Sequence, residues 1–341
     1  MSSRNDDLIL EVNDLSIVFG KRKNQTFAVQ NISFKVFKGE TLGVVGESGC
    51  GKSTSVLALM GLLGKTAHVS GTMILNGKTH NLSEMKYKEW RKIRGTELAM
   101  VFQDSLASLN PLKRIGEQVA EAIYVKKTMS KKEARQEAKV LLDLVEIPNV
   151  KDRFRQYPHE FSGGMRQRVM IAMALANKPN LLICDEPTTA LDVTVQAQIL
   201  HTIKRLQNDM DMSVILVTHD LGVIGAMADR TQVMYGGKII ESGPTQEIIQ
   251  NAEHHYTNAL IQAMPDMVDA SDELYTIPGS PPQLTEIFDR CPFGPRCEAH
   301  TEECDIQMPP LVCTDSAESK NLHVDHLLAC VHPVKNSVEV K

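Results

Sequence analysis

An α/β fold with a largely parallel sheet is the class predicted for this chain of 341 residues, and three stretches predict it. Gly46–Ser53, GESGCGKS, lies between the apolar run Thr41–Val45 and a stretch of helical composition, Ser53–Met60. Leu181–Cys184, LLIC, is apolar, too short for a helix, and ends in Asp185-Glu186-Pro187; Ser213–Thr218, SVILVT, ends likewise in His219-Asp220. Short buried strands separated by helices, with polar residues at their carboxyl ends, form a sheet that binds its ligand at that edge.

The remaining elements follow in order. Residues 8–19 and 27–37 alternate partly and are β-branched, which predicts two strands around the polar turn Gly20–Thr26. Val69–Leu75 is a further strand with Asn76-Gly77 as its turn, and Ser83–Arg94 a helix capped by Ser83 with Glu84 in its first turn. After the strand Leu98–Phe102 and the loop Gln103–Pro111, a charged region from about Ile115 to Val145 forms a separate helical lobe. Pro158 interrupts it, and FSGGMRQR opens a helix from Ser162 to about Ala176. Another helix covers Val193–Asp209, residues 230–242 make a hairpin turning at Gly236-Gly237, and short helices reach Met264. From Pro265 the texture changes to a Pro-rich stretch and a cysteine-rich tail, and the last eight or so residues read as a frayed end. No internal repeat is present.

Composition is that of an ordinary globular chain: 42% hydrophobic, 23% charged, long enough for one large or two modest domains. A net charge of -5 supplies no global basic field of the kind nucleic-acid binding uses. The N-terminus, MSSRNDDLILEV, is acidic and lacks the apolar core of a signal peptide. No run reaches about 18 apolar residues, so in any membrane process other subunits are expected to do the crossing. Five of the seven cysteines, Cys291, Cys297, Cys304, Cys313 and Cys330, crowd the tail, a distribution that favours a metal or cluster over disulfides.

Glycines let the 46–53 backbone turn with its N–H groups inward. Those groups, the helix N-terminus and the Lys52 ammonium would surround nucleotide phosphates, while the Ser53 hydroxyl would be a ligand of Mg2+. Asp185, closing its strand, would hold the same ion, usually through water, and Glu186 could reach an attacking water as general base.

With FSGGM, Ala190-Leu191-Asp192 and Thr218-His219-Asp220 added in this order, residues 8 to 250 or so resemble the ATP-binding cassette family, the motor subunits of ABC transporters. The resemblance implies a P-loop ATPase with a mixed sheet, a helical signature subdomain (about 103–176) within a nucleotide-binding domain of residues 1–264, and a small Cys-rich extension, 265–341. It makes Gly46, Glu47, Ser48, Gly49, Cys50, Gly51, Lys52, Ser53 and Thr54 the ATP loop. Gln103 becomes the Q-loop residue and a Mg2+ contact, Asp192 the D-loop, His219 the switch histidine acting beside Glu186 and Lys52, and Phe19 the aromatic that stacks on adenine. Ser162, Gly163 and Gly164 make a second anion site that faces the ATP of a partner cassette; Met165 stands where the family more often has glutamine. Cys50 reads as a space-filler, with a reactive thiol as the alternative.

HHYTNALIQAMP, IPGSPPQL and CPFGPRCEAHTEECDIQMPPL resemble the C-terminal extension of dipeptide and oligopeptide importer ATPases, a group that includes nickel importers. That resemblance implies uptake, with a second and related ATPase chain, two transmembrane permease subunits, an extracellular substrate-binding protein, no nucleic acid, and a place on the cytoplasmic face of the membrane. A nickel or other small-solute importer is the near alternative, and a soluble cassette acting on ribosomes or DNA the distant one. The resemblance also implies a [4Fe-4S] cluster on Cys291, Cys297, Cys304 and Cys330, spaced C-x5-C-x6-C-x25-C. Zn2+, with His300, His323, His326 or His332 as substitute ligands, and free thiols stay open, as does the part of Cys313.

Overall fold

The computed structural model describes residues 8–21, 24–126, 129–264, 275–314 and 325–334. The frayed end, His323 and the change of texture at Pro265 lie outside them. The chain divides into two compact units: one of Lys86–Ile215 with Phe37–Gly39 and the residues up to Ile9, the other of Leu10–Val36, Glu40–Met85 and the chain from Leu216 onward.

All but a few end residues of a four-stranded sheet lie in the second unit, in the order Thr26–Phe37, Leu8–Phe19, Ala67–Leu75, Lys78–Asn81, the last three strands antiparallel. In its Leu8–Phe19 strand the fully buried residues are Leu10, Val12, Leu15 and Ile17, so the alternation changes parity after Val12. A bulge between Asn13 and Ser16, with Asp14 at φ 55, takes up the extra residue and returns the apolar set to the core face. Gly71 faces this bulge at φ 111; a Cβ there would meet the Asn13 and Asp14 carbonyl oxygens at 2.8 Å. Asn76 and Gly77, at φ 48 and 75, make the tight hairpin turn that the Asn-Gly pair predicts.

The same unit pairs Thr41–Val45 in parallel with Arg230–Tyr235, which runs antiparallel to Lys238–Pro244 across a turn at Gly236 and Gly237. The short strands Leu327–Leu328 and Val312–Cys313 continue this sheet beyond Lys238–Pro244. Parallel and antiparallel pairs thus coexist, as a mixed sheet requires.

In the first unit, Leu98–Val101 pairs in parallel with Leu181–Asp185, register Leu98 to Leu181, and both strands are wholly buried. The charged helical region resolves into two helices, Ile115–Tyr124 and Lys131–Leu144, which pack on each other and on Gly163–Leu175. Ser130 starts the second: its hydroxyl accepts from Glu133 N, and the Glu133 carboxylate accepts from Ser130 N at 2.8 Å. This Ser-x-x-Glu box is the physical reason the predicted single region is two.

Other boundaries also moved. The helix expected over Ser83–Arg94 spans only Tyr87–Ile93, because Asn81 Oδ1 takes the Ser83 N–H and hydroxyl in a turn, and Glu89 accepts from Lys86 N at the true start. The strand Lys78–Asn81 and the helix Leu221–Met227 are additional to the expected elements: the first is short and polar, and the second is capped by Asp220, which accepts from Val223 N at 3.1 Å.

Candidate active site

Thr41–Val45 is buried along its whole length and delivers the chain to the glycine loop. Gly46 and Gly51 cannot carry a side chain: a Cβ on Gly46 would lie 2.2 Å from Met234 O, and one on Gly51 2.4 Å from Ala28 O, both at positive φ. Gly49, at φ 81, has nothing within 4 Å of such a Cβ, so the loop opens there. The eight-residue helix Lys52–Leu59 follows, with Ser53 and Thr54 half-buried in its first turn.

Lys52 is buried, and its ammonium donates to Gly46 O at 2.6 Å and Glu47 O at 2.9 Å. Cys50 is a buried residue of the loop; burial pushes its thiol up against the opposing pull of the Lys52 charge, so it fills space rather than reacts. His219 is exposed just beyond Thr218, whose N–H bonds Val44 O, and so stands at the carboxyl end of the loop's own strand. Phe19 is half-buried at the end of the Leu8–Phe19 strand. The second unit therefore gathers Phe19, Gly46–Thr54 and His219.

Three residues here were missed in the sequence. Tyr256 accepts the Glu47 N–H on its hydroxyl at 2.8 Å. Arg296 grips the Glu47 carboxylate with two nitrogens, 2.8 and 3.1 Å, and donates to Tyr235 Oη at 3.0 Å. Tyr256 and Arg296 stand in stretches of the extension quoted above, but those stretches give no sign of pairing with Glu47, because the contact joins distant segments.

In the first unit, Asp185 closes its strand with 5% exposure. Glu186 follows in the left-handed region, φ 45, where its Oε2 accepts from Gln103 Nε2 and Thr189 Oγ1, each at 2.9 Å. Thr189 is another residue the sequence did not single out; its place three residues after Glu186 was the available signal. Ser162 is exposed and caps Gly163–Leu175, accepting from Met165 N at 3.4 Å. Gly163 and Gly164 pack toward Leu191 and Val195: a Cβ on Gly164 would lie 2.4 Å from Val195 Cγ1. Asp192 caps the Val193–Met210 helix through Val195 N at 2.9 Å.

The tail corrects an expectation. Cys291, Cys297, Cys304 and Cys330 do line one cavity, but it measures about 20 Å³, room for roughly one water. Among the described residues no group of three or more His, Cys, Asp or Glu is disposed to hold a metal ion. Burial pushes the Cys291 and Cys297 thiols up and Cys330 to about 12. The substitute histidines have other partners: His300 with Asp305, His326 with Glu241, and His332 with Thr301. Cys313 is exposed on the Val312–Cys313 strand. The expected iron–sulfur cluster, its zinc alternative and the metal-binding role of the tail are withdrawn.

Residues 29–189 match the family model of the ABC transporter, and residues 240–304 that of the oligopeptide/dipeptide transporter C-terminal region. Over 329 residues the chain is 43% identical to the oligopeptide transport ATP-binding protein OppD of Salmonella typhimurium, covering 96% of this chain and 95% of that one. It is 47% identical over 302 residues to the dipeptide transport ATP-binding protein DppD of Bacillus subtilis, 88% of this chain and 90% of that one. These relatives are named for ATP binding and peptide transport, which lends the iron–sulfur expectation no support. The ATP-binding cassette MJ0796, solved as a dimer in a post-hydrolysis state with ADP and Pi, aligns with 70% of this chain and 99% of its own at a TM-score of 0.62 and 27% identity.

Proposed function

Since this chain belongs to the ABC transporter family and is the ATP-hydrolysing subunit of a peptide importer, we propose that Lys52 anchors the nucleotide phosphates and Glu186 acts as general base in its turnover. The observation that carries the reading is the glycine loop, whose required glycines are backed by a buried lysine held on two loop carbonyls. The Lys52 ammonium exchanges those carbonyls for phosphate oxygens when ATP enters. The backbone N–H groups of Glu47–Thr54 and the N-terminus of the Lys52–Leu59 helix supply the rest of the cradle. Phe19 stacks on adenine, and His219 contacts the γ-phosphate.

Mg2+, bound with ATP, neutralises charge on the phosphates. Ser53, Asp185 and Gln103 are the residues proposed to hold it; a hydroxyl, a carboxylate and an amide oxygen suit a hard cation. Gln103 and Thr189 both donate to Glu186 Oε2, which orients the carboxylate toward a water and supports its assignment as base. Ser162, Gly163 and Gly164 serve the nucleotide of a second, related ATPase chain, with Asp192 beside them. The packing of Gly164 on Val195 supplies a further reason for glycine there.

No helix among the described residues is long and apolar enough to cross a membrane. In this proposal two permease subunits do so, an extracellular binding protein supplies peptide, and this chain works from the cytoplasmic face; residues 1–264 form the nucleotide-binding domain and 265–341 the extension. The test is ATP binding and turnover in the assembled complex. Lys52→Ala is expected to abolish ATP binding, and Glu186→Gln to retain ATP while losing about 10²- to 10⁴-fold in turnover. A Glu186→Gln complex turning over at the normal rate refutes the assignment.

A further inference from the structure

The Cys-rich extension is not remote from the glycine loop within the second unit. Arg296 projects from the turn Gly294–Arg296, and its guanidinium is committed on every side. Two nitrogens meet the two oxygens of Glu47 at 2.8 and 3.1 Å; Nη1 also donates to Tyr235 Oη at 3.0 Å, Nη2 to Ile277 O at 3.3 Å, and Nε to Pro278 O at 2.7 Å. Its side chain is 6% exposed and that of Glu47 23%, so this is a largely desolvated bidentate pair rather than a surface contact. Aromatic rings wall it in: Tyr235 and Phe293 meet edge to face at 5.4 Å, and Tyr235 and Tyr256 lie 4.4 Å apart.

Glu47 is held at each of its polar groups. Its carboxylate is on Arg296, its N–H on the Tyr256 hydroxyl, and its carbonyl on the Lys52 ammonium at 2.9 Å. The N–H belongs to the 46–47 peptide and the carbonyl to the 47–48 peptide, so both peptides flanking the residue that Arg296 grips are fixed. The extension is tied to the neighbouring strand as well: Phe27 N bonds Leu284 O at 2.7 Å, Phe288 N bonds Gln30 Oε1 at 2.8 Å, and Gln30 Nε2 bonds Glu286 O at 3.2 Å.

We propose that Arg296 is a positioning residue for ATP binding, holding Glu47 so that the glycine loop is formed before the nucleotide arrives. The proposal rests on the ATP-site reading above and deepens it: the extension completes the loop from outside. Removing the guanidinium lets Glu47 and its peptide relax, and the cost appears when ATP must re-form the cradle.

The experiment uses the full chain assembled with its permease subunits. ATP affinity is read by titrating the chain with a fluorescent ATP analogue, KM and kcat from steady-state hydrolysis, and folding from the thermal midpoint. Arg296→Ala and Glu47→Gln are each expected to raise KM and the analogue Kd by roughly tenfold, with kcat changing less than KM. Because they break one link, the double variant is expected to match either single variant rather than their product. Arg296→Lys keeps the charge but not the fork, so it too is expected to weaken binding; it carries the test if Arg296→Ala does not fold. A folded Arg296 variant with unchanged KM and Kd, or effects of Arg296→Ala and Glu47→Gln that multiply, overturns the proposal. Lys52→Ala separates the two levels: if it still binds the analogue normally, the ATP-site reading itself falls, whereas loss there with normal Arg296 variants sinks only the positioning role.

Discussion

Glu186 shows how a single carboxylate can be given a direction. Its backbone occupies the left-handed region at φ 45, an arrangement that costs on the order of 1 kcal/mol or more in a non-glycine residue. Two donors, Gln103 and Thr189, then fix Oε2. Thr189→Val is therefore expected to lower kcat by about tenfold with ATP affinity retained, and Thr189→Ser to restore it, as steady-state kinetics in the complex will show. Cys50 belongs to the same scale. Burial holds its thiol up, whereas Cys313 is exposed. At neutral pH a maleimide is expected to modify Cys313 well before Cys50, measured by peptide mass spectrometry over time. A Cys50 that reacts first would mean that the loop opens readily. The presence of Glu186 after Asp185 was legible from the chain; its orienting partners were not, since Gln103 stands 83 positions away and is brought in by the parallel pairing of two strands.

At the scale of elements, a strand and its partner share one irregularity. The extra residue in Leu8–Phe19 requires the bulge at Asn13–Ser16, and the bulge requires glycine at 71. Gly71→Ala is expected to destabilise the chain by about 2 kcal/mol, seen as a lowered denaturation midpoint, because it adds both a φ penalty and a contact with two carbonyls. Two histidines give the second unit opposite pH slopes. His254 is buried, held neutral down to about 4, and its Nδ1 accepts from Tyr256 N. Since an unfolded histidine protonates near 6.5, the stability that neutral His254 confers is full above about 6.5 and lost as pH falls toward 4. His326 is the reverse: burial disfavours its charge, but the hydrogen bond and charge of Glu241, 2.8 Å away, prevail and raise it. Its contribution is full below about 6.5 and lost as pH rises through the raised value. Thermal midpoints of His326→Gln are thus expected to fall further below wild type at pH 6 than at pH 8.5; equal losses at both would contradict the pairing with Glu241.

For the whole molecule, the class of fold, most of the strands and the glycine loop are legible along the chain, because they are written in local patterns. Glycines at fixed offsets, apolar runs of strand length and Asx or Ser caps act over a few residues, so Gly46–Ser53, Leu181–Asp185, Ser162 and Asp192 could be read directly. The turns at Asn76-Gly77 and Gly236-Gly237 were legible for the same reason, both residues of each pair needing positive φ. The split of the helical lobe was also local, carried by Ser130 and Glu133, and shows that a charged run hides a cap when its spacing is not examined. Packing alone reveals what distant segments do to one another. The cysteines of the tail have suggestive spacing, yet the cavity that Cys291, Cys297, Cys304 and Cys330 line has little volume, a property of three-dimensional surroundings that spacing does not encode. Arg296 stands in the CPFGPRC stretch with no role legible there, and it matters because the fold of the second unit brings its fork onto Glu47, 249 positions earlier in the chain. Desolvation and long-range pairing depend on which surfaces meet, and that is fixed only when the chain has packed.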